Sequence, residues 1–189
     1  ANNTGDIWEI WRKYRTLTKS NGTAPSGVDL LAQSAAPSDK AQVSWIDTKA
    51  QEVTPLAVAT EGLSLVLFHT GKKLATHTHL AGNIELSDAS YAQLLEILHT
   101  AKAERSFKYW GDLFVLYNRA LASAGFQAPH TREILQALEK VPGYRGAKGC
   151  GAMGADIIAV IAENPTTIEN FCAKHHLRVL KTFTEDFKI

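Results

Sequence analysis

The stretch that decides the fold runs from Gly146 to Ile161 and reads Gly-Ala-Lys-Gly-Cys-Gly-Ala-Met-Gly-Ala-Asp-Ile-Ile-Ala-Val-Ile. Small residues come first, and a continuous apolar run typical of a buried strand follows. Four glycines fall within nine residues, more than a simple hairpin turn requires, and glycine lets a backbone approach a ligand or another chain closely. The segment therefore predicts either a tight turn between two strands or a loop that binds a ligand.

The chemistry of this segment favours an anion if a ligand binds there. Backbone amides in a glycine-rich turn can hold anionic oxygens, and Lys148 adds a point charge. The spacing is neither that of a P-loop, which needs Gly-x4-Gly-Lys-Ser/Thr, nor that of a dinucleotide-binding loop. Anion binding and a plain hairpin both remain open on local grounds.

The composition limits the classes of protein to consider. The chain has 189 residues, of which 45% are apolar and 21% charged, with a net charge of +1. These values indicate a soluble globular protein of one domain, or of one domain and part of another. The scattered basic residues predict no nucleic-acid partner, and the short apolar runs predict no membrane partner. Two cysteines without metal or disulfide spacing predict a reducing, cytoplasmic setting.

The second part of the chain alternates strand and helix patterns. Its predicted elements are a strand at Leu63–Phe68, three or four helices, strands at Arg145–Cys150 and Asp156–Ala162, a helix from Asn164-Pro165, and a strand at Arg178–Phe183. This order predicts an α+β domain with one sheet and helices on one face, close to the ferredoxin-like arrangement.

The first part is too small for a domain of its own. The patterns predict a helix that carries Trp8 and Trp11, a loop at residues 20–27, a short helix over Val28–Ala36, and strands at Gln42–Asp47 and Glu52–Ala57. We therefore expect residues 1–60 to be the remnant of an N-terminal domain and residues 61–189 to be a C-terminal domain. The tryptophan stripe and the edges of the hairpin are expected to lack local partners and to promote association.

Several polar residues have a functional and a structural interpretation. Asp29 opens a predicted helix, where a carboxylate either accepts a proton from a substrate hydroxyl or complements the helix dipole. Lys72 and Thr76 follow a strand end, where they either contact phosphate or form a solvated turn and a helix cap. His77 and His79 have no third ligand at a recognisable spacing, so no metal site is predicted.

Three segments together resemble the GHMP kinase family, the group of galactokinase, homoserine kinase, mevalonate kinase and phosphomevalonate kinase. One is similar to its Ser-Gly-x-Asp segment, one to its strand-end Thr-Gly-x4-Thr, and one to its third, glycine-rich motif. They are Pro25-Ser26-Gly27-Val28-Asp29, Thr70-Gly71 with Thr76, and Gly146-Ala147-Lys148-x-x-Gly151-Ala152-x-Gly154.

The resemblance implies a kinase that uses ATP and Mg²⁺ on a small anionic substrate. A mevalonate- or phosphomevalonate-like acceptor, as in isoprenoid biosynthesis, suits the Ser-Gly-Val-Asp segment. Asp29 is then the catalytic acid/base. The implied substrate- and phosphate-binding residues are Ser26, Gly27, Lys72, Thr76, Gly146, Lys148, Gly151, Ala152 and Gly154.

The resemblance also implies partners. The family's ATP-binding loop lies upstream of these motifs, so we expect the ATP site largely outside this chain. A missing N-terminal kinase segment, a complementary chain or a second copy is the expected protein partner. The alternative is a non-catalytic GHMP-like or ferredoxin-like binding domain that has lost ATP binding. Met153 and Asp156, where the family prefers small residues, favour that alternative.

Overall fold

The computed structural model describes residues 6–19, 24–35, 43–72, 86–151 and 156–187, which form six helices and two antiparallel sheets. The α+β class is thus confirmed. The chain divides into two units, residues 1–58 with 187–189 and residues 59–186. The division falls beside the expected boundary at residue 60. That the first unit is the remnant of an ATP-binding domain stays a prediction.

The first unit contains two helices and one hairpin. These elements are α1 (Ile7–Leu17), α2 (Val28–Ala35), β1 (Val43–Asp47) and β2 (Glu52–Leu56). Asp6 caps α1, because its side chain accepts a hydrogen bond from the amide of Trp8. Strands β1 and β2 pair antiparallel from Val43 opposite Leu56, and α2 contacts both. The predicted order of helix, loop, helix and hairpin is confirmed.

The tryptophan stripe has a local partner, which corrects the expectation that it is exposed. Trp11 is 8% exposed, and Trp8 packs edge-on against it with ring centroids 5.6 Å apart. Indole Nε1 of Trp11 donates a 2.8 Å hydrogen bond to the carbonyl of Ser26. The helical spacing of the apolar residues located the stripe correctly, but the loop before α2 covers Trp11. No pattern in α1 itself reveals that partner.

The second unit is built on a four-stranded sheet. Its elements in chain order are β3 (Ser64–His69), α3 (Asp88–Ala103), α4 (Phe107–Ser123), α5 (Pro129–Leu138), β4 (Tyr144–Cys150), β5 (Ile157–Ala162), α6 (Pro165–Lys174) and β6 (Arg178–Phe183). The strand order is β4-β5-β3-β6, with every neighbouring pair antiparallel. The predicted strands are confirmed, and β3 is central as its continuous apolar run indicates.

The main core lies between this sheet and two helices. Paired residues across β4, β5 and β3 share a face, and one such row is Ala147, Val160 and Val66. These residues are fully buried and pack with Leu138 of α5 and Ile168 of α6. Burying each of the larger side chains, such as Val66 or Leu138, stabilises the fold by about 1.5–3 kcal/mol. Helices α5 and α6 therefore lie on the same face of the sheet. The prediction that placed the helices of this unit on one face is not confirmed for α4, which meets other residues of β4.

Helix α4 meets the residues of β4 that alternate with Ala147. Gly111 and Gly146 bring the two backbones together so closely that a Cβ added to Gly146 would lie 2.0 Å from the carbonyl oxygen of Gly111. Only glycine fits there. The backbone from Gly146 to Cys150 is a strand, so the loop interpretation of that half of the glycine-rich segment is wrong. The glycine at position 146 is required because α4 packs directly against β4.

No helix among the described residues is both long enough and apolar enough to cross a membrane.

Candidate functional site

The turn before α2 presents Asp29 on a braced backbone. Gly27 has φ +66°, and a Cβ at this position would lie 2.8 Å from Nε1 of Trp11. Arg15 donates a 2.8 Å hydrogen bond from Nε to the carbonyl of Pro25, and its guanidinium lies 4.7 Å from the centroid of the Trp11 ring. The turn is thus held at both Pro25 and Ser26 by side chains of α1. This explains why a glycine stands before the helix.

Asp29 lies in the first turn of α2 and is exposed, as Ser26 is. A carboxylate at this position complements the positive end of the helix dipole. An exposed carboxylate on a fixed turn can also orient or deprotonate a hydroxyl brought to it. The position of Asp29 is therefore compatible with both a catalytic role and a role in complementing the helix dipole.

The described part of the glycine-rich segment is mostly strand. Gly146, Lys148 and Gly149 are strand residues, and Gly149 pairs with Ile158. Gly151 follows the strand with φ +80° and is exposed. Ala152 and Gly154 lie outside the described residues, as Met153 does. Within this segment, Gly151 is the described glycine with a positive φ.

Lys148 lies beside an aromatic wall. Its Nζ is 5.3 Å from the ring centroid of Tyr117 and 5.8 Å from that of Phe114, both on α4. It is also 3.9 Å from Sγ of Cys150. Cation–π contacts of this kind contribute about 0.5–1 kcal/mol at partly exposed sites. The lysine is thus oriented by α4.

A cavity of about 370 Å³ opens beside Lys148. Tyr117, Leu121 and Phe126 form its apolar wall, and the end of β4 from Gly149 to Gly151 completes it. An oriented ammonium group next to an apolar wall suits an organic anion. The aromatic wall was not predicted as part of a site, because its residues belong to the apolar stripe of α4 and resemble core positions.

The strand-end turn after β3 lies at the same end of the sheet. His69, Ile157 and Cys150 are paired across β3, β5 and β4, which places Thr70–Lys72 at the same end of the sheet as Gly151 and Asp156. The amide of Thr70 donates a 3.0 Å hydrogen bond to the carbonyl of Asp156. The structure therefore brings the second and third predicted segments together.

Side chains hold this end of the sheet together. Nδ1 of His69 lies 3.3 Å from Oδ1 of Asp156, and the hydroxyl of Thr70 bonds to the backbone of Lys72 at 3.1 and 3.2 Å. Lys72 itself is exposed, and Thr76 lies outside the described residues together with His77 and His79. The His69–Asp156 contact was missed in sequence because the two residues are 87 positions apart and no motif joins them.

The two cysteines differ in environment. Burial raises the pKa of the Cys172 thiol to about 11, and the nearby Glu169 carboxylate adds to the shift. Cys172 lies in the core formed with α6, whereas Cys150 is partly exposed beside the Lys148 cavity. Cys172 is therefore a core residue. Within the described ranges, no three His, Cys, Asp or Glu side chains are placed to hold a metal ion.

Solved structures with a similar fold are small-molecule kinases. The chain is similar to Lactococcus lactis galactokinase in complex with galactose, with a TM-score of 0.65, 13% identity and coverage of 100% of this chain and 62% of that one. It is also similar to Methanococcus jannaschii mevalonate kinase, with a TM-score of 0.55, 17% identity and coverage of 65% and 39%. No family model and no curated protein sequence matches the chain.

A third similar structure is L. major mevalonate kinase in complex with R-mevalonate, with a TM-score of 0.56, 17% identity and coverage of 86% of this chain and 53% of that one. These proteins are GHMP-type kinases, so the chain has the fold of that group. At such identities the likeness establishes the fold alone. The chain spans between 39% and 62% of the length of these solved chains.

Asp29 belongs to the first unit and the glycine-rich segment to the second.

Proposed function

We propose that this chain is the C-terminal part of a GHMP-type kinase, which transfers the γ-phosphoryl group of ATP to a small anionic substrate. A mevalonate- or phosphomevalonate-like molecule is the proposed acceptor. The observation that carries the proposal is the likeness of the fold to mevalonate kinases and a galactokinase. The Ser-Gly-Val-Asp segment supports it, because Gly27 fixes the turn that presents Asp29.

Asp29 is the proposed catalytic acid/base. Its carboxylate accepts the proton of the acceptor hydroxyl or orients that hydroxyl. The oxygen of the acceptor hydroxyl then forms a bond to the γ-phosphorus of ATP, the bond between that phosphorus and the β-phosphate oxygen breaks, and ADP leaves. The position of Asp29 in the first turn of α2, exposed and without a neighbouring cation in an ion pair among the described residues, suits this role. Ser26 and Gly27 are proposed to shape the same side of the site.

The end of the sheet in the second unit is the proposed substrate and phosphate side. Lys148 supplies the charge beside the cavity, and Gly151 supplies a turn whose amides can face anionic oxygens. Lys72, Thr76, Ala152 and Gly154 remain proposed contacts. Gly146 is buried against Gly111, so we propose that it acts by seating β4 against α4 and thereby placing Lys148.

ATP and Mg²⁺ are the proposed cofactors. The described residues contain no group of three His, Cys, Asp or Glu side chains placed to hold a metal ion. Bound Mg²⁺ offsets phosphate charge in phosphoryl transfer generally. We propose that residues outside this chain form most of the ATP site, consistent with the share of the similar kinases that the chain spans. The proposed partner is that N-terminal kinase segment, a complementary chain or a second copy.

The finer fold assignment supports this proposal. The second unit runs strand, helices, strand, strand, helix, strand, and its sheet order is β4-β5-β3-β6. We propose a ferredoxin-like C-terminal kinase domain on that topology. A cytoplasmic location is proposed with it.

The test is a charge-removing substitution in the full-length protein. We expect Asp29→Asn to lower kcat for ATP-dependent phosphorylation of mevalonate by about 10²–10⁴-fold, the usual effect of removing a general acid or base. Asp88→Asn is the matched control, because Asp88 is also exposed in the first turn of a helix, α3. It is expected to leave kcat unchanged.

Turnover of Asp29→Asn within a few-fold of the unmodified protein would remove the catalytic role. Equal losses in both variants would assign Asp29 to helix stabilisation instead. Galactose and phosphomevalonate, tested in parallel as acceptors, identify the substrate.

A non-catalytic binding domain is the second candidate. The observation that favours it is the engagement of Lys148 by Phe114 and Tyr117, together with a carboxylate, Asp156, at the same end of the sheet. Titration of the full-length protein with ATP and with mevalonate separates the two candidates. Binding of both supports the kinase, whereas binding of neither supports the non-catalytic domain.

A further inference from the structure

A second cavity lies away from the residues proposed for phosphoryl transfer. It has a volume of about 300 Å³ and lies between α4, α5 and the start of β4. None of its lining residues lines the Lys148 cavity. Its volume is at the lower end of the range of about 300–1,000 Å³ for ligand sites, so it suits a small molecule.

The rim of this cavity carries an excess of positive charge. Arg119 on α4 and Arg132 on α5 both line it, and neither guanidinium has an ion pair or hydrogen bond within the described residues. Glu139 is the acidic residue among the lining side chains. Arginine presents a fork of donors that matches carboxylate or phosphate oxygens, so two such forks over one cavity favour an anionic group.

The floor of the cavity carries a buried polar group with an unused acceptor. Gln127 is 8% exposed, and its Nε2 donates to Oδ1 of Asn118 at 3.5 Å. Asn118 is itself held, because its Nδ2 donates to the carbonyl of Ala147 in β4. Oε1 of Gln127 has no partner among the described residues. A buried acceptor without a partner is unfavourable, and a hydroxyl group can satisfy it.

Tyr144 at the start of β4 forms part of the wall. Burial raises the pKa of its phenol to about 12; the Glu139 carboxylate adds to the shift, and the nearby Arg119 opposes it.

We propose that this cavity is a second binding site, which takes a small organic anion bearing a hydroxyl group. Arg119 and Arg132 bind the carboxylate or phosphate, and Gln127 accepts a hydrogen bond from the hydroxyl. Hydrogen bonds from Gln127 to Asn118 and from Asn118 to the carbonyl of Ala147 connect the site to β4, the strand that carries Lys148. The proposal does not depend on phosphoryl transfer, since direct binding without ATP tests it.

The experiment is isothermal titration calorimetry of the protein with three probes: glycerol 3-phosphate, glycerate and glycerol. We expect at least one of the two anions to bind, and neutral glycerol not to bind. Arg119→Gln and Arg132→Gln should each weaken that affinity by about tenfold or more, as loss of a charge-assisted hydrogen bond does. Arg105→Gln is the control, because Arg105 is exposed and does not line the cavity.

The two anions distinguish the ligand class: tighter binding of glycerol 3-phosphate indicates a phosphate ester, and tighter binding of glycerate indicates a carboxylate. Both arginines are exposed, so their variants should fold. Gln127→Leu should weaken the binding of the hydroxyl-bearing anion more than it weakens the binding of inorganic phosphate, which lacks a carbon-bound hydroxyl group. Binding of neither anion, or equal affinity in the Arg119, Arg132 and Arg105 variants, would overturn the proposal.

Discussion

Two glycine-containing segments of this chain owe their glycines to different physical causes. In the turn before α2, Gly27 has φ +66° beneath the Trp11 ring. In β4, Gly146 follows a shift of register after Tyr144, and its missing side chain leaves room for the backbone of Gly111. Gly27 is needed because its backbone has a positive φ, and Gly146 is needed because there is no room for a side chain.

The difference teaches how far a motif can be interpreted residue by residue. Gly27 leaves Asp29 exposed at a helix start, so its segment retains the character of a site. Gly146 is buried, so the segment around it contributes Lys148 and Gly151 to a candidate site and the strand to the core. A sequence motif thus identifies a segment, whereas the burial of each residue shows which of them can contact a ligand.

The largest effect that tests the comparison is expected from Gly146→Ala. The new methyl group meets the backbone of Gly111, which cannot rotate away, so we expect a loss of about 3 kcal/mol or more in the free energy of unfolding. Urea denaturation followed by circular dichroism measures it. Gly62→Ala is the control: it has open space and φ +79°, so only the conformational cost of about 1–2 kcal/mol applies. Equal losses in the two variants would contradict the volume argument.

A smaller effect is expected from Gly27→Ala. The substitution adds the left-handed conformational cost to a contact with the Trp11 indole, a side chain that can shift, so we expect a loss of about 2 kcal/mol. Gly71→Ala provides a matched comparison, because Gly71 has φ +77° and no atom nearby. If both variants unfold at the same urea concentration, the Trp11 contact adds nothing and the turn is less constrained than we infer.

The smallest effect is expected from removing the charge of Asp29. Asp29→Asn should lower the free energy of unfolding by about 0.3–1 kcal/mol, the range for a charge at a helix N-terminus, and Asp88→Asn should do the same. The measurement is thermal or urea unfolding at low ionic strength. A gain in stability for Asp29→Asn alone would sharpen the comparison, since functional charges often lie where they cost stability.

Most elements of the fold were predictable, because their patterns are local. The 3.6-residue period located α4 and α5, Pro165 after Asn164 located the start of α6, and the continuous apolar run identified β3 as central. The prediction for α2 extended to Ala36, which lies outside the described residues, and the helix is described over Val28–Ala35.

The candidate site was predictable in part. The sequence identified Lys148 and the turn at Thr70–Lys72, and the sheet register then placed them at one end. It missed Tyr117 and Phe114, because an aromatic stripe at helical spacing indicates a core. It also missed Arg119, Arg132 and Gln127, which lie on two helices and share no motif.

The sequence by itself determined the secondary structure of the described residues, since hydrophobic period, capping residues and turn chemistry act between neighbours in the chain. Tertiary structure alone decided that Gly146 faces Gly111, that the turn before α2 covers Trp11, and that Arg119 and Arg132 share a cavity with a buried amide. These contacts join residues that are distant in the chain. Packing of one surface against another sets them, and no local pattern encodes it.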